Sequence, residues 1–76
     1  MEIPQDILDA AAGFVSLYGP NLSLIGNKDG WDIYHFDFPA GSFTGYPFLF
    51  LHKEGHKAKE VNGPEALELI LFLGVE

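Results

Sequence analysis

Two short runs hold the residues best suited to chemistry. In His52-Lys53-Glu54-Gly55-His56, two imidazoles and a carboxylate alternate around a glycine. A hairpin turn there would gather them, and with a fourth ligand from elsewhere they could hold zinc. The spacing matches no structural zinc pattern, so the plain expectation is an exposed polar turn with no metal and no cofactor. In His35-Phe36-Asp37, the His and Asp fall on one strand face and could form an acid–base pair, although a solvated face is the simpler account. Ser16, Ser23 and Ser42 have no evident His–acid setting, so no hydrolase triad is expected. Gly41-Ser42-Phe43-Thr44-Gly45 offers backbone amides to an anion but lacks the Lys and spacing of a nucleotide-binding loop. No enzymatic activity is expected.

The candidate binding residues are aromatic. Trp31, Tyr34 and Tyr46 are of the types enriched at binding hot spots, and Phe43 stands alone among small residues. The acids Asp29, Asp32 and Asp37 lie near them in the chain, so an aromatic-acidic patch for a basic segment is one expectation. A second is a small-molecule or enzymatic pocket beneath residues 39–45, using His35 and a contribution from His52.

These residues must be positioned by a small set of elements. Tyr46-Pro47-Phe48-Leu49-Phe50-Leu51-His52 is apolar on both faces and too short for a free-standing helix, which predicts a central strand covered on both sides. Before it, Pro4 to Tyr18 reads as one helix, with Ile7, Ala11, Phe14 and Tyr18 on one face and Gly19-Pro20 as the stop. Gly13 inside that helix suggests a close neighbour, because it costs up to about 1 kcal/mol against Ala. A strand over Asn21–Gly26, a turn at Asn27-Lys28-Asp29-Gly30 and a strand over Trp31–Phe38 predict a hairpin. Tyr34, Phe36 and Phe38 share one face of it. His56 to Val61 reads as an edge strand blunted by lysines. Pro64 starts a last helix that stops at Gly74 and is apolar nearly all round.

The fold class is therefore α+β: an N-terminal helix, an antiparallel sheet of three to four strands and a C-terminal helix, in one domain spanning residues 1–76. Seventy-six residues bury only about 60–65% of the surface that the unfolded chain exposes, and without Cys there is no disulfide to help. Two helices are expected to cover one sheet face but not both. Apolar surface should then remain for a partner, with Leu69, Leu71, Phe72 and Leu73 as interface residues and a homodimer as the simplest assembly.

Eleven acids against four Lys and no Arg give a net charge of −7. Such a body repels phosphate backbones and anionic membrane surfaces, so neither nucleic acid nor membrane is an expected partner. A basic protein or peptide is favoured, and an acidic inhibitor that mimics nucleic acid is a weaker alternative. No signal-peptide pattern opens the sequence and no apolar run approaches the ~20 residues that span a bilayer, so a cytoplasmic protein is expected.

Two partial resemblances follow. From Gly45 to Gly74, the Pro before a hydrophobic strand, the turn Lys53-Glu54-Gly55, the charged edge strand and the final helix resemble the tail of a thioredoxin-like fold, without its redox Cys pair. The overall element order also resembles double-stranded-RNA-binding domains. The start of the last helix, Gly63-Pro64-Glu65, is acidic where that family carries lysines. Neither resemblance transfers an activity or a residue role.

Overall fold

The computed structural model describes residues 3–38 and 47–74. Seven elements follow in order: α1 (Gln5–Ala10), α2 (Ala12–Tyr18), β1 (Leu22–Lys28), β2 (Trp31–Phe36), β3 (Leu49–His52), β4 (Lys59–Val61) and α3 (Pro64–Leu73). The strands form one antiparallel sheet in the order β1-β2-β3-β4. The α+β expectation is met, with each strand hydrogen-bonded to the next in sequence. No helix among the described residues is long and apolar enough to cross a membrane.

The predicted single N-terminal helix is divided at Ala11. The Pro4 carbonyl accepts from Ile7 N–H and Leu8 N–H, so Pro4 precedes the first helical residue instead of occupying it. Ala11 N–H still donates to the Ile7 carbonyl at 3.0 Å, and Val15 N–H to Ala11 at 2.9 Å, so the division is a bend with hydrogen bonds running through it. Ala11 is 1% exposed against the sheet. The bend lets Ile7 at one end and Phe14 and Tyr18 at the other follow a sheet that twists beneath them. Gly13 is exposed and has open space where a Cβ would stand. The close neighbour expected there is not found among the described residues.

The first hairpin is tighter than predicted. Lys28 pairs with Trp31, leaving only Asp29 and Gly30 in the loop, with φ of 55° and 85°. Positive φ at both central residues matches the twist of the flanking strands, and Asp-Gly is a favoured pair for it. Between Leu24 and Gly26 the register shifts, so Ile25 is an extra residue that turns toward α3. Gly26 then admits Leu73, whose side chain would lie 2.8 Å from a Cβ at that position.

Burial alternates through the two central strands. Tyr34, Phe36 and Phe50 point to the face covered by α1 and α2, where Ile7 and Ala11 complete a buried cluster. Phe14 sits in the middle of the aromatic layer, with ring centroids 5.3 Å from Phe36, 5.1 Å from Phe38 and 4.8 Å from Phe48. Such tilted and edge-on pairs are favoured by ring quadrupoles. Ile33 and Leu49 point to the opposite face, where Ala66, Leu69, Ile70 and Leu73 of α3 cover them. The expectation that two terminal helices would leave one sheet face open is therefore corrected. The helical segments divide between the faces, and a sheet of only four short strands is narrow enough for α3 alone to span one.

Replacing Gly13 by Ala should stabilise the fold by up to about 1 kcal/mol, because the added methyl meets nothing and the backbone loses freedom only in the unfolded chain. Thermal unfolding should rise by about 4–8 °C per kcal/mol at this size. An unchanged or lower midpoint would mean that the bend at Ala11 requires glycine beside it.

Candidate functional site

The sheet divides the sequence-predicted site residues between its two faces. Tyr34 is buried at 4% exposure within the α1/α2 face. Trp31 and His35 lie on the α3 face and are half-buried. Phe43 and Tyr46 lie outside the described residues, as does the 39–45 loop that was to roof a pocket. His35 and His52 cannot serve one pocket, because His52 sits on the α1 face, opposite His35. The His52–Glu54–His56 trio also disperses. His52 engages α1, whereas the His56 ring lies 5.5 Å from Trp31 on the other face. Among the described residues no group of three such side chains could hold a metal ion.

Both His–Asp contacts are specific. His52 Nδ1 lies 2.9 and 2.8 Å from the two carboxylate oxygens of Asp6, tying the first turn of α1 to the end of β3. A carboxylate only accepts, so Nδ1 carries the proton. Asn27 Nδ2 donates to Asp32 on the same face, at 3.1 Å. Burial above all, then the nearby Asp32 and Asp6 carboxylates, push the Tyr34 phenol above its ordinary value. On the α3 face, His35 Nδ1 lies 3.0 Å from Asp37, which also accepts from the Ser23 hydroxyl. His35 and Asp37 thus meet, where the sequence favours a simple solvated face over a pair, and they are joined by a serine that sequence spacing did not connect to them. The carboxylate stands between Ser and His, so the serine proton goes to Asp37 and not to the imidazole. That order does not make Ser23 a nucleophile.

The surroundings of Trp31 reverse the expected aromatic-acidic patch. Lys59 Nζ lies 4.5 Å and Lys53 Nζ 5.7 Å from the indole centroid, within cation–π range. Lys28 Nζ stands 4.9 Å over the Phe72 ring. Asp32 points to the opposite face, toward Asn27. What gathers at Trp31 is cationic: β2–β3 pairing ends at Asp32 and His52, so Lys53 leaves β3 at the Trp31 end of the sheet, and β3–β4 pairing sets Lys59 opposite Leu51. The signal in the sequence was the lysine alternation after His52, read there only as an edge guard.

The four predicted interface residues separate by helical phase. Leu69 and Leu73 face the sheet and are partly buried. Leu71 and Phe72 are 69% and 65% exposed, with Leu67 beside them at 43%. Next to Phe72, a groove of about 260 Å³ is lined by Lys28, Val61, Glu65, Glu68, Leu69 and Phe72.

Comparison with protein-family models, curated proteins and solved structures finds no match to this chain. The two partial resemblances therefore rest on element order alone.

The Asp6–His52 contact should contribute about 1 kcal/mol as a partly exposed, charge-assisted pair. Asp6→Ala and His52→Ala should each lower the unfolding free energy by about that amount, and their double-mutant cycle should return a comparable coupling energy. Strict additivity would mean that the two groups do not interact. Tyr34 gives a pH prediction. A raised phenol value means that its contribution is complete below the ordinary value of 10.0 and is lost as pH rises through the folded value. Stability should fall in alkaline solution, and Tyr34→Phe should flatten that fall in urea titrations across pH.

Proposed function

We propose that this chain is a non-enzymatic protein-interaction module of the cytoplasm that self-associates through the outward side of α3. The observation that carries the reading is the exposure of Leu71 and Phe72 on a helix whose other side is already buried in its own sheet. Monomeric proteins rarely leave neighbouring large apolar side chains in water without a use for them. With Leu67 one turn earlier, these residues make an apolar strip flanked by Glu65 and Glu68.

A second copy suits the strip better than an unrelated helix. Two α3 helices packed antiparallel about a two-fold axis present the same residues to each other. The Lys28–Phe72 end of one copy then meets the Glu65–Glu68 end of the other, so opposite charges adjoin. The groove beside Phe72 offers room for a large apolar side chain of the partner. Repulsion between two bodies of charge −7 opposes the pairing and is screened beyond about 8 Å at physiological ionic strength.

Sedimentation velocity at micromolar concentration should show a dimer in about 0.15 M salt. Leu71→Glu should convert it to a monomer with an unchanged intrinsic fold, because the Leu71 side chain is 69% exposed. A wild-type protein that sediments only as a monomer would remove the self-association reading.

A further inference from the structure

We propose that Trp31, Lys53 and Lys59 form a binding platform for an acidic polypeptide segment, laid down as an extra strand beside β4. The platform is separate from the outward side of α3 and does not depend on self-association.

The first observation is the state of the lysines. The chain has four, and nine of its eleven acids are among the described residues. Yet among the described residues no lysine ammonium lies within 4.0 Å of a carboxylate; the ion pairs there are His35–Asp37 and His52–Asp6. In so acidic a protein, cations with no carboxylate partner among the described residues are a local departure from the charge of the whole. Two of them, Lys53 and Lys59, hold their ammonium groups over one indole, and His56 packs against the same ring. Lys53 Nζ also donates to the Asp29 carbonyl at 3.4 Å, which fixes it beside Trp31.

The second observation is the strand edge. The sheet of described residues ends at β4, whose outer backbone groups face no further strand. An extended segment can hydrogen-bond along such an edge, with alternate side chains on each face. Lys59 and Val61 point to the α3 face, and Glu60 between them points to the other. A carboxylate on the added strand opposite Lys59 would form a cross-strand charge pair with it and draw its ammonium outward from the indole of Trp31 in β2.

Chemistry favours a polypeptide over a phosphate ligand. The platform has only lysines, with no guanidinium fork for bidentate phosphate recognition, and the strand edge supplies the backbone donors and acceptors that a peptide uses. At physiological salt, repulsion from the acidic body is screened beyond about 8 Å, so the lysines at the platform dominate what an incoming carboxylate feels.

Trp31 is the sole tryptophan, so its emission reports on the platform directly. Titration with an octapeptide of alternating Glu and Thr should give a saturable change in that emission. Lys53→Ala/Lys59→Ala should weaken the peptide about tenfold, with circular dichroism unchanged, and Lys59→Ala alone should give part of the loss. The corresponding Lys–Thr octapeptide should give no saturable change. The proposal is overturned if the Glu–Thr peptide gives no saturable response, or if the double variant binds it as well as the wild type. Saturation by inorganic tripolyphosphate where the peptide has no effect would overturn it as well, marking a phosphate site.

Discussion

The structure depends on one constraint: the central strands must be kept from water on both faces. Leu49 and Phe50 are adjacent in β3, point in opposite directions, and are both fully buried. Ile33 and Tyr34 in β2 repeat the arrangement. Covering each such side chain is worth about 1.5–3 kcal/mol, which a chain this short cannot forgo. The helices must therefore separate, α1 and α2 to one face and α3 to the other. Every feature of possible functional interest lies where that division leaves something over: the outer side of α3, the lysine-capped end of the sheet, and the polar clasp between α1 and β3.

The two layers differ in kind. The α1/α2 face is an aromatic layer centred on Phe14, with flat rings meeting at tilted and edge-on angles. The α3 face is aliphatic, with Leu, Ile and Ala over Ile33 and Leu49. At the hairpin end, each layer gives way to polar chemistry of its own. Asp6 and His52 close the aromatic side, and lysines cap Trp31 and Phe72 on the aliphatic side. Asp32 goes one way and its neighbour Trp31, with the lysines around it, goes the other.

The two proposed contacts, self-association through α3 and acidic-segment binding beside β4, would make different demands on the fold. The first would use apolar side chains that stand largely in water. The second would use cations that no carboxylate among the described residues pairs with. Both would lie on the α3 face, where Lys28 covers the Phe72 ring at the border of the α3 strip.

The sequence by itself determined the element types and their order. Apolar spacing of three and four marks a helix, alternation marks a strand, and Asp-Gly or Gly-Pro marks a turn through local backbone preferences that need no partner. It also determined the face shared by Tyr34, Phe36 and Phe38, and the common face of His35 and Asp37, because residues two apart on a strand must share a face. Only the tertiary structure decided the rest. It bent the first helix at Ala11, placed α3 on the far face, put His52 with Asp6 across forty-six residues, and turned Leu71 outward while Leu69 and Leu73 turned in. It also surrounded Trp31 with lysines where chain neighbours had suggested acids. The reason in each case is that contact between distant segments is set by strand register and helix phase, which emerge only when all the elements are buried against one another.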